Sequence, residues 1–187
     1  RIGVQLPNWH EFVICYLGLA RLGAVLVPIV PVYREHEVAH MLGHTNARAY
    51  VFTPSFRGFD YAAMAQSLLE RLPELQWTIA VRADSSTLGS ALDFASMSKD
   101  AAPAASTADF ATPDPDAVHL IGFTSGTESM AKGCAHTWNT YSFTPRTQRQ
   151  IYNFTRDDIE LVPSPITHTS GLAAGLRRLS PGERRLT

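Results

Sequence analysis

Apolar positions along the first part of the chain switch repeatedly between a compact run and a helical period. IGVQL, residues 2–6, reads as a strand, and Phe12, Cys15, Tyr16, Leu19 and Leu22 then recur at helical spacing until Gly23 ends the pattern. Asn8 is the expected N-cap of that helix, with Glu11 three residues on completing a capping-box pair. The runs VLVPIV (25–30), ARAYVF (47–52) and WTIAVR (77–82) read as further strands, with helices expected over residues 34–42 and 59–72. Strand and helix alternate through short connections. That order predicts an α/β fold with a mostly parallel sheet flanked by helices.

The pattern then breaks. Residues 84–117 are dominated by Ala, Ser, Thr, Asp and Pro and read as a linker-like excursion, with a short helix expected near residues 91–97. VHLIGF, residues 118–123, restores the strand pattern, and a helix is expected to run through Tyr152 ahead of IELVPSPITHTSGLAAGL, residues 159–176.

Composition removes several function classes. A chain of 187 residues with 45% apolar and 18% charged residues can bury a sizeable core. Its net charge of -1, without basic runs interleaved with aromatics, argues against a nucleic-acid partner. The apolar run over residues 12–30 contains Arg21 and is interrupted by Gly23 and Pro28, so it reads as helix then strand and not as an integral membrane segment. Cys15 and Cys134 sit in unrelated contexts and read as free thiols, for which a cytoplasmic location is the expectation.

Two stretches carry chemistry. His36, Glu37 and His40 form a literal H-E-x-x-H, the helix motif of zinc hydrolases, with His44 one turn further on. At about 100° per residue, however, His36, His40 and His44 share one stripe while Val38, Met41 and Leu42 share the opposite one. The apolar stripe must face the sheet, so the histidines are expected to face solvent and no metal site is assigned; a zinc hydrolase is kept as a weaker alternative. The second stretch is FTSGTESMAKG, residues 123–133. It is not a Walker A loop, because Lys132 follows Ala131 and precedes Gly133. Its Thr124, Ser125, Thr127 and Ser129 hydroxyls, the backbone freed by Gly126 and Gly133, and the Lys132 ammonium suit the oxygens of a polyphosphate. From the residues alone, a structural turn fits as well as a phosphate site.

The loop resembles that of the adenylate-forming superfamily, specifically AMP-forming acyl-CoA synthetases, whose phosphate loop reads S/T-S-G-T-T-G-x-P-K-G. Thr124, Ser125, Gly126, Thr127, Lys132 and Gly133 match, whereas Glu128 and Ser129 replace Thr-Gly, and Ala131 replaces a proline that would stiffen the loop. The N-terminal residues 5–42 are similar to the family's opening segment, and Pro165, His168 and Gly171 match its P-x-x-H-x-x-G element. The resemblance implies binding of ATP by residues 124–129, 132 and 133, Glu128 among them, with Mg²⁺ as the ion that accompanies the nucleotide. It also implies a carboxylic acid and CoA as further substrates, catalytic roles for Lys132 and His168, and formation of an acyl-AMP followed by its thioester.

The resemblance further implies an adenine-binding Y-G-x-T-E element, a ribose-binding aspartate, a hinge and a late catalytic lysine beyond Gly171, none of which occurs in the chain. Residues 1–176 are accordingly expected to be an incomplete AMP-binding N-terminal domain, followed by an atypical Arg-rich tail over residues 177–187. A truncation or shifted reading frame near Leu176 would explain both features, and an authentic basic tail is the alternative. On that expectation the polypeptide has little ligase activity alone, and a non-catalytic remnant that binds phosphate or a partner is the second reading.

Overall fold

The computed structural model describes residues 1–99, 113–124, 130–155, 157–159 and 161–179. Strand β1 (Ile2–Gln5) leads into helix α1 (His10–Arg21), which Gly23 terminates in the left-handed region at φ 65°. Strand β2 (Leu26–Pro28), helix α2 (Glu35–His44) and strand β3 (Ala49–Phe52) follow. A small antiparallel pair, β4 (Ser55–Phe56) and β5 (Phe59–Asp60), precedes helix α3 (Tyr61–Arg71), whose N-terminus is capped by Asp60 accepting from Ala63 N–H at 3.0 Å. Strand β6 (Trp77–Ala80), strand β7 (Leu92–Asp93) and helix α4 (Phe94–Lys99) come next. Strands β8 (Val118–Phe123) and β9 (Gly133–Thr137) and helices α5 (Trp138–Ile151) and α6 (Thr169–Leu179) complete the fold.

The strands form one sheet in the order β7-β6-β3-β1-β2-β8-β9, parallel except for the antiparallel β8–β9 hairpin. From β1 the chain steps to β2 on one side, then crosses to β3 and β6 on the other. Right-handed crossovers in opposite directions place their helices on opposite faces. Thus Phe12 and Tyr16 of α1 join Val4, Leu6, Leu26 and Leu120 on one face, while Val38, Met41 and Leu42 of α2 and Met64 and Leu68 of α3 join Val27, Tyr50 and Phe52 on the other. The strand alternation and the two helical periods therefore describe the same two cores.

Several expectations change in detail. Asn8 does not cap α1: the N-cap is Trp9, without a side-chain cap, because the Asn8 amide is bonded to residues far along the chain. Glu11 does not complete a capping box either. It is buried and accepts from Arg82 Nε at 2.7 Å and Nη2 at 3.0 Å, and that guanidinium, which lies 3.9 Å over the Trp9 ring, holds the Glu11 carboxyl below its usual pKa. The excursion at 84–117 contains β7, paired parallel to β6, and its helix begins at Phe94, where Asp93 accepts from Ala95 and Ser96 N–H at 3.2 and 3.1 Å. Strand β9 was not expected. GCAHT has little intrinsic β preference and becomes a strand by pairing with β8 across the hairpin.

Cys15 and Cys134 are both free. Among the described residues, no helix is long and apolar enough to cross a membrane.

His119 of β8 is buried, stacked on Trp138 at 3.7 Å, and burial lowers its pKa from 6.5 to about 4. The folded state therefore binds fewer protons than the unfolded state between those values. Its contribution to stability is complete above pH 6.5 and is lost as pH falls towards 4. Urea unfolding measured across that range should show stability falling with acid, and His119→Phe, which keeps the stack on Trp138, should remove about one proton from the slope.

Candidate functional site

In a parallel sheet the loops at the carboxyl ends of the strands are the places where backbone and side chains can meet a ligand. Strand β8 ends there, and residues 123–133 connect it to β9. Ser125, Gly126, Thr127, Glu128 and Ser129 lie outside the described residues, so the observed part of the loop is its base. There Phe123 pairs with Gly133 at the end of the hairpin. Thr124 N–H donates to the Lys132 carbonyl at 3.1 Å, and Lys132 N–H donates to Thr124 Oγ1 at 3.1 Å. This reciprocal pair closes the loop and leaves Thr124 and Lys132 exposed next to each other.

A third contact comes from α2. His40 Nε2 lies 2.8 Å from the Ala131 carbonyl oxygen, and the His40 and His44 rings stack at 5.5 Å. This corrects the expectation that the whole histidine stripe faces solvent. His36 and His44 are exposed, but His40 is half-buried because the β8–β9 hairpin, 91 positions along the chain, packs over it. The glutamate of the same motif is also engaged, since Glu37 Oε2 accepts from Arg34 N–H at 3.1 Å at the start of α2. Among the described residues, no group of three His, Cys, Asp or Glu side chains is arranged to hold a metal ion.

The His168 element is a tightly packed turn. His168 N–H donates to the Pro165 carbonyl at 2.9 Å, and the His168 carbonyl accepts from Leu172 N–H at 2.9 Å, opening α6. Gly171 lies against the same Pro165 carbonyl, and a Cβ there would stand 2.1 Å from its oxygen. The spacing Pro165, His168, Gly171 thus has a steric origin. Ser170 N–H donates to His168 Nδ1 at 3.3 Å, with Ser170 Oγ 2.9 Å from the same nitrogen. Nδ1 therefore carries the lone pair and Nε2 the proton, on an exposed imidazole.

Two contacts tie this turn to the sheet. Asn8, just past β1, donates from Nδ2 to the Ser164 carbonyl at 3.0 Å and to Val162 O at 3.3 Å, and its Oδ1 accepts from Ile166 N–H at 2.7 Å. At the other end, Tyr141 Oη of α5 donates to Thr169 O at 3.4 Å, and a Cβ on Gly122 of β8 would lie 3.9 Å from Thr169 Oγ1. The His168 turn consequently sits beside the strand that launches the loop. A cleft of about 470 Å³ opens between Trp9, Val32, Arg57 and the Pro163–Pro165 stretch, at the carboxyl ends of β1 and β2.

The loop base and His168 carry a local sequence signal as candidates, whereas the roles of Asn8 and His40 as their supports carry none. Asn8 was assigned to a local cap, and its three bonds span up to 158 positions, for which a local pattern carries no signal.

The family model described as "AMP-binding enzyme" matches residues 1–177. The chain belongs to the AMP-binding enzyme family. It is 31% identical over 176 residues to the medium-chain fatty-acid–CoA ligase of Escherichia coli (strain K12), covering 94% of this chain and 30% of the relative. It is also 31% identical over 172 residues to the 2-hydroxy-7-methoxy-5-methyl-1-naphthoate–CoA ligase of Streptomyces carzinostaticus, covering 90% of this chain and 31% of that one. Among solved structures, the apo structure of Mycobacterium smegmatis MbtA superposes with a TM-score of 0.77 at 27% identity, over 95% of this chain and 32% of MbtA. The chain spans about 30% of the length of these AMP-binding relatives.

Gly171→Ala should force the Pro165 carbonyl aside and lower stability by roughly 1–3 kcal/mol, the usual cost of overpacking. Asn8→Ala should leave three backbone groups of the 162–166 segment without their partner and raise its proteolytic sensitivity relative to the sheet. Denaturant melts and limited proteolysis with mass mapping measure the two effects.

Proposed function

We propose that residues 124–133 bind the triphosphate of ATP, and that the chain supplies this loop and the His168 turn to an AMP-forming acid–thiol ligase. The observation that carries this reading is the reciprocal Thr124–Lys132 pair, which closes the loop at the carboxyl end of β8 and leaves both residues exposed at its base. In the reaction, the carboxylate of an acid attacks the α-phosphorus and the bond to the bridging oxygen of pyrophosphate breaks. Negative charge moves onto the departing pyrophosphate. Lys132, with the Thr124, Ser125, Thr127 and Ser129 hydroxyls and the loop N–H groups around Gly126 and Gly133, would stabilise that charge. In the second step the thiol of CoA attacks the acyl carbon of the acyl-AMP, and AMP leaves.

Mg²⁺ neutralises polyphosphate charge in such a transfer. Of the loop's oxygen-bearing residues, Thr124 and Glu128 would hold such an ion, a pair suited to one that arrives with the nucleotide and keeps most of its water. His168 has the role of a substrate-site donor: its Nε2–H can bond an oxygen of the acid or of the α-phosphate, while Ser170 holds the other nitrogen. The two ligase relatives are named for a fatty acid and a naphthoate, so the reading extends to carboxylic acids as a class.

Calorimetric titration of the chain with MgATP tests the central claim. Binding is expected, with Lys132→Ala weakening it at least about tenfold, as loss of a charge-assisted contact implies. Equal affinity in Lys132→Ala would remove the loop from the triphosphate site. Acid-dependent exchange of labelled pyrophosphate into ATP is expected to be negligible for this polypeptide on its own, and clear exchange abolished in Lys132→Ala would show that it activates acids unaided.

A further inference from the structure

The histidine stripe of α2 has no part in the chemistry above, yet two of its members grip the loop. His40 Nε2 lies 2.8 Å from the Ala131 carbonyl oxygen. A carbonyl oxygen only accepts, so Nε2 carries the proton and donates. The His40 ring stacks on His44 at 5.5 Å, and both meet Phe123 edge-on, at 6.0 and 6.4 Å. One helix therefore touches both feet of the loop: Phe123 on the incoming strand and Ala131 on the outgoing one.

The consequence falls on Lys132. Its N–H belongs to the same peptide group as the Ala131 carbonyl, and that N–H is the one donated to Thr124 Oγ1 at 3.1 Å. His40 and Thr124 thus hold the two ends of a single peptide plane, the carbonyl from α2 and the N–H from across the loop. Ala131 has no ring to restrict its own φ, so these external bonds set the orientation. A loop donor stabilises transferring charge only where it is held before the charge develops.

We propose that His40 is a positioning residue for the phosphate loop: donation from its Nε2–H to the Ala131 carbonyl fixes the peptide from which Lys132 departs. This rests on residues 124–133 being the triphosphate loop. His44 and Phe123 hold the imidazole in plane for that bond, and the exposed His36 does not share the task. The literal zinc-hydrolase motif on this helix then has another use, in which one histidine serves the neighbouring hairpin through its proton.

Two substitutions separate the hydrogen bond from the packing. His40→Phe keeps an aromatic ring against His44 and Phe123 but removes the donor, and His40→Gln places an amide N–H at a similar reach. In the nitrogen-15-labelled chain, a long-range proton–nitrogen spectrum should show His40 protonated on Nε2. The Lys132 amide should exchange faster with solvent in His40→Phe and regain its protection in His40→Gln. Affinity for magnesium tripolyphosphate should fall about 3- to 10-fold in His40→Phe and return to within about twofold of the parent in His40→Gln, in line with loss and recovery of one hydrogen bond. A His40 protonated on Nδ1 alone, or Lys132 protection unchanged in His40→Phe, overturns the proposal. If the parent chain does not bind tripolyphosphate, the triphosphate reading fails by itself, and the amide-exchange comparison still decides whether His40 holds the peptide. Should His40→Phe lose its dispersed amide signals, the tautomer of the parent and the Lys132 protection in His40→Gln decide it.

Discussion

Strand β1 is buried on both faces, with Val4 and Leu6 turned to the α1 side and Gly3 and Gln5 to the α2 side. A parallel sheet covered in this way has no open face on which to build a site, so polar chemistry is confined to the loops at the strand ends. Gln5 shows how firmly that edge is held. Its buried amide donates to Val30 O at 3.0 Å and Tyr33 O at 3.1 Å, and its carbonyl oxygen accepts from Tyr50 Oη. A buried amide with its donors and acceptor engaged fixes the turn after β2 relative to β1 and β3, because releasing any partner leaves a polar group stranded in the core.

The site elements hang from this edge by a few long-range hydrogen bonds. Asn8 anchors the segment carrying His168, His40 anchors the end of the loop between β8 and β9, and Tyr141 holds the start of α6. Each such bond contributes only about 1 kcal/mol net to stability. Their importance is geometric. They hold short loops, which have few apolar contacts of their own, against a sheet and helices that the two cores already hold in place.

The histidine motif of α2 illustrates how the same residues serve different ends in different surroundings. On an isolated helix, His36, Glu37 and His40 match a metal-binding pattern. In the fold, Glu37 bonds the backbone at the helix start and His40 faces the Ala131 carbonyl. A motif specifies which atoms are available, and the neighbouring chain specifies what they meet.

Much of the architecture was legible along the chain. The compact runs at β1, β2, β3, β6 and β8 and the helical periods of α1, α2 and α3 are local properties: strands and amphipathic helices are selected by which side chains recur at periods of about 2 and 3.6. The hydroxyl- and glycine-rich composition of the β8–β9 loop and the spacing of Pro165, His168 and Gly171 are equally local, and the latter rests on a steric contact within one turn. Strand β9 was not legible, since Gly133, Cys134 and Ala135 become extended only through β8. Nor were the true partners of Asn8, Glu11 and His40, whose bonds join residues 71 to 158 positions apart. Pairing at such separations depends on how helices and strands dock, and that geometry exists only once both cores have formed.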